Sequence, residues 1–262
     1  MKLDYKNCVI TGASSGIGRE VSLLLAAQGC TVVAIARDQN KLNELAIDAK
    51  NLSGRIQPIA FDLKNHNNFD VLAQHIQRQV GVIDLVINNA AVGHHSDFST
   101  QSNEEIMKVM NTTLIAPILF TKICLPLMRN NESSILFVSS LAGKMGFPKL
   151  SIYSAAKHGI EGFADSLTQE CANEIFIFRP GVTATNFFTE SGMEDFERRA
   201  RQNGQMNSAQ YVAKELIFAL ANNRKEYTVS SDKYLLPLLP IITRQYRFSV
   251  LKFLNKLSKP FR

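Results

Sequence analysis

Residues 7–18 read N-C-V-I-T-G-A-S-S-G-I-G, and this stretch decides the fold. Its first part, 7–11, is a short apolar run typical of a buried strand, and glycines follow at positions 12, 16 and 18. Glycines between a strand and a helix let the backbone approach a diphosphate, which the free N–H groups of a helix N-terminus also attract. The stretch therefore predicts a strand, a phosphate-binding turn and a helix that runs up to Gly29. The alternative is a plain strand-turn-helix made with small residues.

Outward from this turn, predicted strands and helices alternate along the chain. Further strands are expected at 31–36, 55–61, 84–87, 134–139, 174–178 and 227–230, with helices at 41–50, 68–79, 101–128, 152–171 and 209–222. This alternation predicts an α/β protein with one doubly wound parallel sheet of about seven strands, flanked by helices. We expect a single domain over residues 1–232, and ligands in such sheets bind at the carboxyl ends of the strands.

The second predicted strand ends in Ala36-Arg37-Asp38. In dinucleotide folds that prefer NAD, a carboxylate at the end of this strand bonds the adenosine ribose 2′-hydroxyl. Here an arginine follows the strand, and its guanidinium suits a 2′-phosphate. We therefore expect NADP(H) rather than NAD(H). Two alternatives stay open: Arg37 is a solvated loop charge, or Asp38 turns inward and selects NAD(H).

The stretch 139–157 contains Ser140, Tyr153 and Lys157. A tyrosine and a lysine four residues apart lie on one helix face, and a serine before them sits at the end of the preceding strand. The three groups supply a proton donor, a positive charge that eases its ionisation and a hydrogen bond for a carbonyl oxygen. Taken alone, Tyr-x-x-x-Lys also fits a solvated helix face. Ser139 is the rival serine, and the spacing to Tyr153 favours Ser140.

Over residues 5–230 the chain resembles the short-chain dehydrogenase/reductase family, whose motifs it carries in the family's order. The matching residues are Thr11, Gly12, Gly16 and Gly18 in the glycine turn, Asp62, Asn88, Asn89 and Ala90 at strand ends, Asn111, Ser140, Tyr153 and Lys157 as the catalytic tetrad, and Pro180, Gly181 and Thr185 after the sixth strand. Asn111 stands in the middle of a predicted helix, where an asparagine is unfavourable unless it has a task.

The resemblance implies a Rossmann fold and hydride transfer between a nicotinamide and a carbonyl or alcohol. Tyr153 is the expected general acid/base. Lys157 and the oxidised nicotinamide are expected to favour its phenolate by opposite charge, and Lys157 also bonds the nicotinamide ribose. Ser140 steadies the substrate oxygen, and Asn111 holds a water that relays protons to Lys157. The expected cofactor contacts are Gly12, Ser14, Ser15, Gly16, Ile17, Gly18, Arg37, Asp62, Leu63, Asn89, Ala90, Tyr153, Lys157, Pro180, Gly181, Val182 and Thr185.

Residues 185–208, called the lid segment below, correspond to the part of this family that closes over the substrate. The segment contains Phe187 and Phe188, and Phe147 stands on the facing loop. These side chains predict an apolar, lipid-like ketone, aldehyde or alcohol as substrate, and the alternative is that they only pack the lid segment. His94 and His95 are expected to be loop residues rather than metal ligands, because no carboxylate or cysteine cluster accompanies them.

The net charge of +6 is carried by the end of the chain. Residues 233–262 hold seven basic side chains and no acidic one, which leaves −1 for residues 1–232 and argues against a nucleic-acid partner. Within this basic extension, 244–262 has the pattern of an amphipathic helix, suited either to an anionic membrane surface or to packing on the protein. No secretory signal is visible, and no stretch reaches the roughly 18 apolar residues of a membrane span.

Four cysteines without a paired spacing point to buried thiols, so we expect a cytoplasmic protein, peripheral at a membrane if the extension binds one. We also expect a homodimer or homotetramer. Two functions compete: an NADP(H)-dependent oxidoreductase of class EC 1.1.1, or a non-catalytic NADP(H)-binding regulatory protein with the same fold. The complete set of Asn111, Ser140, Tyr153 and Lys157 favours the enzyme.

Overall fold

A computed structural model describes residues 3–129 and 131–229 of the chain. Its strands are β1 (Asn7–Thr11), β2 (Thr31–Ala36), β3 (Arg55–Ala60), β4 (Leu85–Asn88), β5 (Ser134–Val138), β6 (Glu174–Arg179), β7 (Thr183–Ala184), β8 (Asn207–Ser208) and β9 (Glu226–Thr228). Seven of them form one parallel sheet in the spatial order β3-β2-β1-β4-β5-β6-β9. From β1, strands β2 and β3 follow on one side of the sheet, and β4, β5, β6 and β9 follow on the other. This order confirms the predicted doubly wound sheet.

Helices cover both faces of this sheet. They are α1 (Gly16–Ala27), α2 (Gln39–Asp48), α3 (Phe69–Val80), α4 (Asn103–Met110), α5 (Ala116–Cys124), α6 (Ser151–Glu170), α7 (Phe187–Glu190), α8 (Glu194–Gln202) and α9 (Ala209–Ala221). Apolar residues of α1, α2 and α9 form a core with one face, and those of α3, α5 and α6 form a core with the other. Neighbours in β1 alternate between them: Ile10 joins the first core and Val9 the second, both fully buried.

The region predicted as one helix over 101–128 is divided in the structure. A capping box between Ser102 and Glu105 starts α4, and a π-helical turn, Asn111–Ile115, separates it from α5. The Ala116 N–H reaches back to the Asn111 carbonyl, which is the wider hydrogen-bond pattern of a π turn. Such turns occur often at functional sites, and this one begins at the asparagine singled out by sequence.

The same stretch, Asn103–Leu127, is long and apolar enough to meet the length and composition of a membrane-crossing helix, with a mean hydropathy of 1.4. The expectation that no stretch reaches this composition is therefore wrong on this measure. In the fold, Ala116, Phe120 and Cys124 from this stretch are fully buried against the sheet. The core therefore accounts for part of its apolar composition, since 39% of the most apolar window is buried.

The predicted last strand is present as β9 and pairs with β6 at the edge of the sheet. The basic extension, 233–262, with the amphipathic helix predicted at 244–262 and the domain boundary at 232, lies outside the described residues.

Candidate active site

The turn after β1 is shaped by glycines at points of close approach. Gly12 and Gly16 have φ angles of 67° and 54°, in the left-handed region that favours glycine. A Cβ on Gly18 would lie 2.4 Å from the Gly12 carbonyl oxygen, so the first turn of α1 presses directly on the loop. Ser15 stands at the N-cap of α1 but makes no capping hydrogen bond with its side chain. The first N–H groups of the helix are therefore left for a ligand.

Asn89, which follows β4, braces this turn from the neighbouring strand. Its Nδ2 donates to the carbonyl oxygens of Thr11 at 2.9 Å and Gly12 at 3.2 Å. The Thr11 hydroxyl accepts hydrogen bonds from the N–H groups of Asn89 and Ala90, each at 3.1 Å. Asn88 points elsewhere and donates to Thr121 on α5 at 3.1 Å. The two asparagines thus have separate tasks: Asn89 joins β4 to β1, and Asn88 joins β4 to a helix.

Charged side chains line the cleft beyond the ends of β2 and β3: Arg37, Asp38, Lys41, Asp62 and Lys64. Asp38 is the N-cap of α2, where its Oδ1 accepts from the Lys41 N–H at 3.1 Å while its Oδ2 lies 3.8 Å from Lys41 Nζ. Asp62 pairs in the same way with Lys64, at 3.7 Å. Both carboxylates thus have a lysine partner although they are exposed, and Arg37 is exposed beside them at the rim of the cleft.

Ser140, Tyr153 and Lys157 converge in this cleft from the end of β5 and the first turns of α6. The Tyr153 and Ser140 side chains are hydrogen-bonded to each other, and Lys157 Nζ lies 5.7 Å from the centroid of the Tyr153 ring. Lys157 Nζ also donates to the Val138 carbonyl at 2.7 Å. Tyr153 is 8% exposed and Lys157 3%, so both residues are largely buried in the wall of the cleft.

Burial moves both ionisable groups away from their charged forms. It raises the pKa of Tyr153 to about 12, although the hydrogen bond with Ser140 opposes the shift. It lowers the pKa of Lys157 to about 8, against the negative charge of Glu161, which raises it. Burial is the largest influence on the pKa of Tyr153 in the chain alone. Tyr153 therefore holds its proton firmly at neutral pH. The expectation that Lys157 and an oxidised nicotinamide favour the phenolate stays a prediction.

The predicted site residues line the cleft, which measures about 820 Å³, with the exceptions of Gly18 and Asn111. Gly18 supports the turn from behind, as described above. Asn111 begins the π turn, and its neighbour Thr112 lines the cleft instead. The π turn packs on α6, where a Cβ on Gly159 would lie 2.9 Å from Leu114. Asn111 is thus placed close to the helix of Tyr153 and Lys157 without forming the wall of the cleft.

The two candidate serines have different partners. The Ser139 hydroxyl is 2% exposed and donates to Oε1 of Glu161 at 2.7 Å. Ser140 is half-buried, lines the cleft and meets Tyr153. Sequence reasoning missed Glu161 and its partner Arg179, although Glu161 follows Lys157 at the same four-residue interval that separates Lys157 from Tyr153. That interval was the available signal.

Aromatic rings lead from Tyr153 to the opposite end of the cleft. The Tyr153 and Phe187 ring centroids are 5.2 Å apart, Phe187 and Phe188 are 5.8 Å apart, and Phe188 and Phe196 are 5.4 Å apart. Phe147 lines the same cleft from the loop before α6. The lid segment thus supplies a continuous row of rings that starts at the candidate proton donor and ends at the surface.

The lid segment is tied down at both ends. Thr183 pairs with Asn207 and Ala184 with Ser208 in the small sheet of β7 and β8, which closes the segment into a loop. Near its start, a Cβ on Gly93 would lie 2.9 Å from the Phe187 ring, so the loop after β4 packs closely on α7. These contacts hold the row of rings against the rest of the site.

A nicotinamide dinucleotide fits this arrangement. The glycine turn lines the cleft where a diphosphate would lie. Its shape depends on glycine, since a Cβ at Gly12 or Gly16 would fall 2.9 Å or less from a neighbouring protein atom. Cationic Arg37 stands at one end of the cleft, and Pro180, Gly181, Val182 and Thr185 line it near Tyr153 and Lys157. Thr185 contacts Gly16 directly, which joins the lid segment to the phosphate turn.

Comparisons with known proteins agree with this geometry. Residues 6–195 match the family model for short chain dehydrogenase. The chain is 32% identical over 235 residues to the ketoacyl reductase HetN of Nostoc sp., a match that covers 88% of this chain and 80% of that protein. It is 28% identical over 235 residues to the 3-oxoacyl-(acyl-carrier-protein) reductase FabG of Thermotoga maritima, which covers 87% and 94%.

Among solved structures, a short chain dehydrogenase/reductase from Burkholderia phymatum in complex with NAD has the same fold. Its TM-score is 0.82 at 20% identity, over 100% of this chain and 99% of that one. The chain therefore belongs to the short-chain dehydrogenase/reductase family.

Proposed function

We propose that this chain is an NADP(H)-dependent reductase for the ketone group of an apolar, 3-oxoacyl-type substrate. One observation carries the proposal: Ser140, Tyr153 and Lys157 meet in a single cleft, with the glycine turn at one end and a row of aromatic rings at the other. The cleft thus joins a place for a diphosphate to a place for an acyl chain, with a proton donor between them.

Protein groups handle the proton, while the bound nicotinamide supplies the hydride. Tyr153 holds its proton at neutral pH and donates it to the ketone oxygen of the substrate. Ser140, already hydrogen-bonded to Tyr153, steadies the same oxygen. The Lys157 ammonium stabilises the phenolate that remains, because the two groups are close and shielded from water. Asn111 is proposed to hold a water that returns protons toward Lys157.

The preference for NADP(H) rests on the charges beyond β2. Asp38, the carboxylate that would otherwise select NAD(H), caps α2 and faces Lys41. Arg37 is exposed beside it and lines the cleft, where a guanidinium would form charge-assisted hydrogen bonds with a 2′-phosphate. The proposal therefore assigns cofactor selection to Arg37.

The substrate class rests on the lid segment and on the relatives. Phe187 and Phe188 offer apolar ring faces next to Tyr153, where the chain of a bound substrate would extend away from its ketone group. The relatives named above are a ketoacyl reductase and a 3-oxoacyl reductase. Together these observations favour a ketone carried on an acyl chain over a small polar carbonyl.

The test is reduction of a panel of ketones by the purified full chain with NADPH and with NADH. The panel contains 3-oxoacyl thioesters of increasing chain length and short polar ketones. We expect turnover with NADPH and an increase of kcat/KM with chain length. Binding of NADPH without turnover of any member of the panel would favour the non-catalytic regulator.

Replacing Tyr153 by Phe removes only the hydroxyl that donates the proton. We expect kcat for reduction to fall by roughly 10²- to 10⁴-fold, since this is the usual contribution of a positioned acid. NADPH affinity, measured by the change in nicotinamide fluorescence, should stay near that of the wild type. Retained turnover in Tyr153→Phe would show that another group supplies the proton.

We propose a cytoplasmic homodimer or homotetramer, with peripheral membrane contact through 244–262. Support for self-association comes from α4 and the stretch around it, where Met107 and Phe98 are 53% and 63% exposed. Light scattering of the purified chain measures the assembly, and a monomer would exclude it. Binding to anionic liposomes, compared between the full chain and one that ends at residue 243, tests the membrane contact.

A further inference from the structure

We propose that Glu161 is a positioning residue, which fixes the turn that carries Ser140 and preserves the positive charge of Lys157. This inference rests on the proposed function, because it assigns a task to a residue behind the proposed proton donor. It concerns a buried cluster of charges formed by Glu161, Arg179, Lys144 and Glu226.

The Glu161 carboxylate is enclosed by four donors. Oε1 accepts from Ser139 Oγ at 2.7 Å and from Arg179 Nε at 2.6 Å. Oε2 accepts from Arg179 Nη2 at 2.8 Å and lies 2.8 Å from Lys144 Nζ. Its side chain is 5% exposed, yet these donors hold its pKa below the usual range against the effect of burial. Glu161 therefore stays ionised inside the protein.

This carboxylate lies directly under the turn that carries Ser140. A Cβ on Gly143 would fall 2.6 Å from Glu161 Oε1 and 2.6 Å from Ser139 Oγ, so the turn rests on the carboxylate. The turn itself is closed by the Gly143 N–H, which donates to the Ser140 carbonyl, and by the Ala142 N–H, which donates to Ser140 Oγ. Glu161 thus contacts the chain both before Ser140, at Ser139, and after it, at Gly143.

The same carboxylate acts on Lys157, one helical turn earlier in α6. Around Lys157, the described contacts are the Tyr153 ring and Glu161 on α6 itself, and the Val138 carbonyl at the end of β5. Behind Glu161 stand Ser139, which directly follows β5, Arg179 from β6 and Lys144 from the turn after β5. Glu226 of β9 joins them by pairing with Arg179 at 2.7 Å. Among these groups, Glu161 is the one whose charge favours the Lys157 ammonium.

A purely structural role explains this cluster less well. Buried ion pairs are often no more stabilising than apolar residues of similar volume, because desolvation offsets their attraction. Here the pair spans β6 and the catalytic helix, and its acidic member contacts the serine next to Ser140. Both the Ser140 turn and the charge on Lys157 would therefore depend on one carboxylate.

The decisive variant is Glu161→Gln, which keeps the shape and removes the charge. For the full chain we expect kcat for 3-oxoacyl reduction to fall by about 10- to 100-fold, since small displacements of a reacting group cost this much. NADPH affinity should change by no more than about twofold, because the variant does not touch the phosphate turn. The alkaline limb of the pH–rate profile should move to lower pH as the Lys157 pKa falls.

A second readout does not need turnover. Acetylation of Lys157 by acetic anhydride, followed by mass spectrometry across a range of pH, reports the protonation of this amine. The wild type should show a midpoint near the value of about 8 that the structure gives. Glu161→Gln should show a midpoint about one unit lower, and Glu161→Asp, which keeps the charge, should return it toward the wild-type value.

Glu170→Gln, at the exposed end of the same helix, is the matched control and should leave both readouts unchanged. Equal behaviour of Glu161→Gln and Glu170→Gln would overturn the proposal. If Glu161→Gln does not fold, the double variant Glu161→Gln/Arg179→Met removes both buried charges and should show the same lower midpoint; a wild-type midpoint there would also overturn it. A wild-type chain that reduces no ketone would refute the proposed function, while the acetylation midpoints would still decide the role of Glu161.

Discussion

The two ends of the cleft are built in different ways. At the phosphate end, the turn after β1 is formed by backbone: Gly12 and Gly18 leave no space for a Cβ, and Asn89 bonds the turn to the next strand. At the substrate end, the wall is formed by side chains, the rings of Phe187 and Phe188 on a helix of four residues. The first end is fixed by backbone packed so closely that a Cβ on either glycine would clash with a neighbour. The second is formed by a row of rings that reaches the surface.

This difference follows from what each end has to recognise. A diphosphate is the same in every nicotinamide cofactor, and backbone N–H groups with a helix N-terminus suit it. The substrate chain varies, and apolar rings accept it without fixed hydrogen bonds. Changes at the phosphate end should therefore have large effects for every substrate, whereas changes at the substrate end should have small effects that depend on chain length.

The strongest way to break this contrast is Gly18→Ala. The added Cβ would lie 2.4 Å from the Gly12 carbonyl oxygen, so the helix N-terminus and the turn must move apart. We expect NADPH affinity to fall by about 100-fold or more, because overpacking at this point costs about 1–3 kcal/mol and also displaces the N–H groups that face the diphosphate. Fluorescence titration with NADPH measures the change.

Gly162→Ala is the matched control for this variant. Gly162 is an exposed glycine within α6, and a Cβ there would meet no atom within 4 Å. Alanine at such a helix position usually stabilises by about 0.5–1 kcal/mol, so affinity should be unchanged. Equal NADPH affinity in the Gly18 and Gly162 variants would show that the turn is less rigid than its contacts indicate.

A smaller effect should follow from Arg37→Ala, which tests the outer part of the cofactor end. Loss of the guanidinium should lower kcat/KM for NADPH by about 10- to 100-fold and leave NADH unaffected, since a hydrogen bond to a charged group contributes about 1.5–3 kcal/mol. The measurement is the ratio of kcat/KM for the two cofactors. Arg55→Ala, another exposed arginine on the outermost strand of the same side, should leave that ratio alone. If Arg37→Ala leaves the ratio of kcat/KM for NADPH and NADH unchanged, Arg37 does not select the cofactor, and Asp38 becomes the candidate.

The smallest effect is expected from Phe188→Ala in the row of rings. Phe188 contacts both Phe187 and Phe196, and its loss removes apolar surface from the outer part of the cleft. We expect KM to rise by about 5- to 10-fold for long 3-oxoacyl chains, with little change for the shortest, in keeping with the burial of one or two methylene groups. Phe218→Ala, an exposed phenylalanine on α9 outside the cleft lining, is the control. An equal rise for short and long chains would mean that the ring only packs the lid segment.

Much of the phosphate end could be predicted from sequence because its parts are local. A strand, a glycine turn and a helix are contiguous in 7–27. The proton donor could be predicted for the same reason, because Tyr153 and Lys157 lie four residues apart on one helix face. Asn111 was recognised as out of place in a helix, but the π turn that accommodates it depends on packing against α6 and could not be deduced. The effect of burial on the Tyr153 pKa was likewise missed, because it depends on how completely the fold covers the ring.

The sequence by itself determined the alternation of strands and helices, the phosphate turn and the candidate proton donor. Each of these features depends only on residues that are close together in the chain. The spacing to Tyr153 already favoured Ser140, but only the tertiary structure showed that the rival Ser139 meets Glu161. It alone brought Glu161, Arg179, Lys144 and Glu226 into one cluster, since these residues come from four separate parts of the chain. The reason is physical: periodicity fixes the direction of a side chain within its own element, whereas its partners and its pKa are set by the elements that pack around it.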